Sequence, residues 1–114
     1  RSYGVLIHDL CEIVPDGLVV YFPTREILRE GRAEWEVREN IYERICHKKK
    51  VFEEEVWAED NAANLAKYRK LCDVGRGAVF FVSAHSDFGR DTAFFNHYSK
   101  CIVFVGVPYE QINV

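Results

Sequence analysis

Three short apolar runs constrain this chain's fold more than anything else in it: LVVYF (Leu18 to Phe22), AVFFV (Ala78 to Val82) and CIVFVG (Cys101 to Gly106). None alternates apolar with polar residues, as a strand with one wet face would. Continuous runs of this kind belong to strands covered on both faces. The segments between them carry helical spacing. Tyr3, Leu6, Ile7, Leu10 and Cys11 repeat on one helical face, with Ser2 placed to cap it. Thr24 is placed to cap a helix bearing Ile27, Leu28 and Trp35, and Ile41 and Ile45 mark a further helical stretch ending near CHKKK. Lys50 to Glu54 reads as a short strand. Asn61 is the expected cap of a helix carrying Leu65, Tyr68 and Cys72, with Gly75 in the place of a C-terminal cap glycine.

Strands separated by helices imply parallel pairing through crossover connections. The expected fold is therefore α/β: a three-layer domain whose mostly parallel sheet of about four or five strands is flanked by helices. In such sheets ligands bind beyond the carboxyl ends of the strands. Pro23-Thr24-Arg25, Ser83 to Arg90 and Val107-Pro108-Tyr109 occupy those places.

At 114 residues, with 48% hydrophobic and 29% charged residues, the chain is one globular domain with a single core. Methionine is absent even at position 1, which predicts a piece excised from a longer protein. No apolar run approaches the roughly 18 residues of a membrane span, so no membrane partner is expected. A net charge of -3 argues against a broadly basic nucleic-acid binder but leaves room for one basic patch. The four cysteines (Cys11, Cys46, Cys72, Cys101) are far apart with no C-x-x-C, and read as reduced core thiols.

Several chemistries lack their residues. There is no G-x-x-x-x-G-K-[ST] loop and no G-x-S-x-G elbow. GRGA (Gly75 to Ala78) precedes a strand, whereas a phosphate cradle follows one, so it reads as a turn. His8, His47, His85 and His97 share no metal-ligand spacing, and His8 reads as a surface or boundary residue. Lys48-Lys49-Lys50 reads as a solvated edge beside the acidic Glu53-Glu54-Glu55, and Trp35 and Trp57 as packing residues. No catalytic residue and no metal ligand is assigned. Thr24 and Arg25 carry the best local mechanism: a helix N-terminus with a hydroxyl and a guanidinium beside it suits a nucleic-acid phosphate. A plain capping threonine with an exposed arginine is the alternative. His85, at a strand end, is either a ligand contact or an ordinary loop residue.

Taken together, SYG near the start, IVPDGLVVYFPT (13–24), LAKYRKLCDVGRGAVFF (65–81) and FNHYSKCIVFVGVPY (95–109) resemble one region. It is the second RecA-like motor domain, of the P-loop NTPase type, of the XPD family of iron–sulfur DNA helicases. The likeness is strongest toward the eukaryotic TFIIH helicase subunit. The resemblance implies that residues 1–114 are part of that motor domain, truncated before its final arginine-bearing motif. It implies an ATP-dependent 5′-3′ helicase of nucleotide excision repair and transcription initiation. ATP and magnesium would sit between this domain and the first motor domain. The iron–sulfur cluster would lie in the parent protein but outside this fragment, which would be inactive alone. Partners would be single-stranded DNA, the first motor domain and other TFIIH subunits, in the nucleus. Thr24 and Arg25 would face DNA from helicase motif IV.

The stretch VSAHSDFGRDTAF (Val82 to Phe94) falls on motif V, where the family usually reads Ala-Arg-Gly-Lys, one residue, then Ser-Glu-Gly-Ile-Asp-Phe. Ala84 and Phe94 are kept, but His85, Ser86 and Asp87 replace the arginine, glycine and lysine. Gly89, Arg90, Asp91, Thr92 and Ala93 replace Ser-Glu-Gly-Ile-Asp. The resemblance gives His85, Ser86 and Arg90 to DNA contact, and Gly89 and Asp91 to the nucleotide cleft and its coupling. The altered charge leaves two readings: a working but divergent motor, or a degenerate RecA-like scaffold serving as a protein-interaction module.

Overall fold

The structure, a computed structural model, describes residues 3–38, 40–90 and 98–106. Along the chain these form α1 (Tyr3–Ile13), β1 (Gly17–Phe22), α2 (Arg25–Val37), α3 (Ile41–Lys48), β2 (Lys50–Glu53), α4 (Ala58–Asp73), β3 (Ala78–Ser83), α5 (Asp87–Arg90) and β4 (Ser99–Phe104). The strands lie in the order β2-β3-β1-β4, and every pairing is parallel. This is a partial RecA-like α/β fold.

All six residues of β1 and all six of β3 are buried, as their unbroken apolar sequences require. Successive side chains point to opposite faces of a strand. Leu18, Val20, Phe22, Val79 and Phe81 therefore share one face. They pack against Ile7 and Cys11 of α1, Leu28 and Trp35 of α2, and Ile41 and Ile45 of α3. Val19, Tyr21, Phe52, Phe80 and Val82 share the other face and pack against Leu65, Tyr68 and Cys72 of α4. The two clusters on either side of the sheet make the three layers. On the first face, the rings of Phe22, Trp35 and Phe81 meet at centroid separations of 5.6 to 5.9 Å.

Two glycines fix where the chain turns. Gly75 follows α4 with φ +84, and the amides of Arg76 and Gly77 both donate to the Leu71 carbonyl. Gly77, with φ +75, passes so close to Asp16 that a Cβ would lie 2.4 Å from its carbonyl oxygen. The GRGA segment is thus a turn leading into β3.

Several local expectations need correction. β4 is not buried on both faces: Ile102 and Phe104 are exposed, because α4 lies over β2 and β3 and no described element covers β4 on that side. Asn61 does not cap α4, which begins at Ala58 behind Trp57. Trp57 is 68% exposed and packs no core. Within the Lys48-Lys49-Lys50 run, Lys49 is buried, with Nζ 3.5 Å from the Pro15 carbonyl oxygen. Cys46 is exposed, while Cys11 and Cys72 are core thiols and all four cysteines are free. His8 is buried, its Nδ1 3.3 Å from Asp9 Oδ1. Ser2, His97 and Val107-Pro108-Tyr109 lie outside the described residues. No helix among the described residues is long and apolar enough to cross a membrane.

Candidate nucleic-acid interface

β1 and β3 are neighbours and parallel, so their exits open side by side on one rim. Backbone hydrogen bonds continue past the strands. The Ala84 amide donates to the Phe22 carbonyl (2.8 Å), that of Glu54 to Phe81 (2.9 Å), and that of Val105 to Tyr21 (2.8 Å). These bonds bring the segments after β1, β2, β3 and β4 to the same edge.

Thr24 is the N-cap of α2, with extended backbone, and its Oγ1 accepts the Ile27 amide at 3.1 Å. The cap occupies one oxygen lone pair and leaves the hydroxyl proton to donate outward. Arg25 opens the helix but does not stand free. Its guanidinium lies 3.6 Å from Glu54 Oε2 and reaches the Glu55 carbonyl at 3.5 Å.

Glu54 is the residue that sequence reasoning missed. Its side chain is 3% exposed. Oε1 accepts the Ser83 amide at 2.9 Å and lies 3.0 Å from Ser86 Oγ. One carboxylate therefore ties the ends of β2 and β3 to the start of α2. The signal was the two-residue period of the strand. Within Glu53-Glu54-Glu55, Glu54 shares the parity of buried Phe52 and turns inward. Glu53 turns to the other face, where Arg32 Nε lies 2.6 Å from its Oε1. Burial holds the Glu53 carboxyl above its ordinary pKa, against the opposing pull of Arg32.

Ser86 is fully engaged. Its oxygen accepts the Gly89 amide at 2.9 Å, and its single proton is shared between the Ser83 carbonyl and Glu54, each at 3.0 Å. Gly89 is buried against the end of β3. A Cβ there would lie 1.8 Å from the Ser83 carbonyl oxygen, so only glycine lets α5 fold back this closely. His85, Asp87 and Arg90 are the exposed groups of the loop, and Arg90 lies 3.7 Å from Asp87 Oδ1 in an exposed pair. Such pairs contribute at most about 1 kcal/mol and yield readily to a better partner. Asp91 lies outside the described residues.

Between these elements is a cavity of about 500 Å³, lined by Arg25, Glu54, Glu55, Ser86, Asp87 and Phe88 among others. One cation faces three carboxylates there, so an anion would not settle inside. His85 and Arg90 stand outside it, on the rim. Phosphates passing over the rim would meet His85 and Arg90 together with the exposed Asp87 carboxylate, while the interior serves to hold the loop.

Elsewhere, His8, Asp9 and Glu12 on α1 bring ligand atoms within 4.8 Å of one another. Glu12 already pairs with Lys48 at 3.1 Å. Burial pushes the Cys11 and Cys72 thiols up to about 11. They belong to cores on opposite faces of the sheet, which does not fit a four-thiolate cluster site.

The model of the helicase C-terminal domain matches residues 7–114. The chain belongs to the helicase C-terminal domain family. Among relatives of this helicase domain is the general transcription and DNA repair factor IIH helicase subunit XPD of Arabidopsis thaliana. The two are 36% identical over 110 residues, covering 96% of this chain and 14% of the relative. The subunit of the same name from Dictyostelium discoideum is 31% identical over 109 residues, with the same coverage. The ATP-dependent DNA helicase DDX11 of Homo sapiens is 31% identical over 117 residues, 96% of this chain and 12% of the relative. The domain is thus XPD-like at modest identity, and it spans about one seventh of the XPD relatives' length.

Proposed function

We propose that this domain is the second half-motor of an ATP-dependent DNA helicase, moving 5′-3′ on single-stranded DNA and acting in TFIIH-dependent nucleotide excision repair and transcription initiation in the nucleus. The observation that carries the reading is the rim. In a chain of helicase family, the N-terminus of α2 and the loop after β3 emerge from adjacent parallel strands, with Thr24, Arg25, His85 and Arg90 along one edge. Thr24 donates its free proton to a phosphate and the α2 amides add the helix dipole. Arg90 exchanges Asp87 for a phosphate, and His85 contributes a ring nitrogen. Ser86 acts by shaping the loop, since its hydroxyl is committed to Gly89, Ser83 and Glu54.

ATP and magnesium supply the phosphoryl-transfer chemistry when bound between two motor domains. This chain has no loop to cradle a triphosphate, so its share is one wall of the cleft. Gly89 serves that wall by close packing against β3, and Asp91 follows it in sequence. The first motor domain and other TFIIH subunits are the protein partners of this reading, and the iron–sulfur cluster belongs outside these residues.

Single-strand binding by the intact protein tests the residue roles. Affinity falls with salt at a slope of about −0.7 per phosphate contact for single strands. Replacing Arg25 and Arg90 with alanine should flatten the slope by about 1.4 and weaken binding alike for all sequences. An unchanged slope would remove both residues from the interface.

A second reading, the degenerate scaffold, is favoured by one feature: Glu54, Glu55 and Asp87 outnumber Arg25 in the cavity behind the rim. It predicts that DNA does not accelerate ATP turnover.

A further inference from the structure

At the opposite end of the sheet, where β2 and β3 begin, a cavity of about 620 Å³ opens between the last turn of α3 and the second half of α4. Its lining carries Lys48, Lys49, Lys50, Lys67, Lys70 and Arg76, and no carboxylate. Lys48 is paired with Glu12, and Lys49 is buried toward Pro15. Lys50 lies over the Phe52 ring at 5.8 Å. Lys67, Lys70 and Arg76 are exposed and form no ion pair among the described residues. In a chain of net charge -3, this collects unneutralised positive charge at one place. Like charges so gathered repel, and the cost is relieved when an anionic partner arrives.

Two further observations say what kind of anion fits. The cavity is not purely polar: Phe52, Leu71 and Val74 line it, and Val74 is 61% exposed. An apolar anchor would cover that surface. Lys50, Phe52 and Lys67 also line an adjoining cavity with Arg32, Val51, Glu53 and Glu55, so the groove continues along β2, where its charge becomes mixed. β2 is an edge strand with no partner on its outer side among the described residues. Its free backbone groups can pair with an extended polypeptide, which a nucleic acid cannot imitate.

We propose that this basic groove is a docking site for an acidic peptide segment of a partner protein, with an aromatic or aliphatic side chain seated on Leu71 and Val74. Its carboxylates lie over Lys67, Lys70 and Arg76, and its backbone runs on along β2. The site is remote from the rim proposed for DNA and does not depend on that reading.

The test is fluorescence anisotropy of the intact protein with a labelled synthetic peptide of glutamates interrupted by phenylalanine. Binding should weaken as salt rises. Lys67→Glu with Lys70→Glu should weaken it at least about tenfold, or about 1.4 kcal/mol. Lys67→Gln with Lys70→Gln, neutral changes at exposed positions, should weaken it by a smaller factor. Oligo(dT) binding should not change in either variant. No binding by the unaltered protein, equal binding of a glutamine-for-glutamate peptide, or unchanged affinity in the charge-reversed variant would each overturn the proposal. So would loss of oligo(dT) binding in the same variants, which would make the groove a nucleic-acid site.

Discussion

Glu54 holds the Ser83 amide, the Ser86 hydroxyl and the Arg25 guanidinium with one side chain, in a place water barely reaches. Removing one partner of such a network leaves the others buried without compensation. Glu54→Ala should lower stability by about 3 kcal/mol, read as a shift in the urea midpoint; Glu54→Gln, which keeps an acceptor for the Ser83 amide, should cost less. Gly89→Ala forces a methyl into the Ser83 carbonyl, and overpacking of this kind costs about 1–3 kcal/mol. The buried thiols set an alkaline limit. Burial is the largest cause at both Cys11 and Cys72, and holds each near 11. A raised pKa means that the folded state keeps protons the unfolded chain has released. Their contribution is complete below the unfolded value of about 8.5 and is lost as pH rises toward 11. Unfolding free energy should therefore decline from about pH 9 to 11, and the double variant Cys11→Ala, Cys72→Ala should show a shallower decline. An identical slope would contradict the assignment.

At the scale of elements, what holds the rim is a set of short connections rather than the sheet alone. Asn61 lies inside α4 and reaches back across the preceding loop. Its Oδ1 accepts the Glu55 amide at 2.8 Å and its Nδ2 donates to the Glu55 carbonyl at 3.1 Å. That clamp sets Glu54 and Glu55 beneath Arg25. Asn61→Ala should raise hydrogen exchange at the Glu55 amide and cost about 1–2 kcal/mol, while exchange in β1 changes only by the global loss. Thr24→Ala removes the cap of α2 at a cost of about 1 kcal/mol, and Thr24→Ser should restore it. The legibility of the sequence follows the same division. β1 and β3 were readable because burial on both faces leaves no room for polar residues. The cap at Thr24 and the turn at Gly75 were readable because few residues do those jobs. Asn61 was misplaced because its amide satisfies backbone groups six residues upstream instead of the amides of its own helix. Trp57 was misread as core because size alone does not say whether a helix start faces the sheet. Glu54 was hidden in a run of like charges, although the strand's alternation separates it from its neighbours.

At the scale of the whole molecule, the two ends of one parallel sheet do different things. The carboxyl ends bring Thr24, Arg25, His85 and Arg90 to a common edge, held from behind by Glu54. The amino ends carry the unneutralised cations of the second groove. Parallel pairing makes this separation possible, since an antiparallel sheet would send alternate connections to opposite rims. The expectation that the segments after the strands share one rim holds for Pro23-Thr24-Arg25 after β1 and Ser83 to Arg90 after β3, while Val107-Pro108-Tyr109 lies outside the described residues. The direct measurement of the central claim is ATP turnover by the intact protein with and without single-stranded DNA. A half-motor whose rim grips the strand predicts turnover that rises with DNA and loses that rise when Arg25 and Arg90 are both changed to alanine. Turnover no faster with DNA than without it would contradict the account.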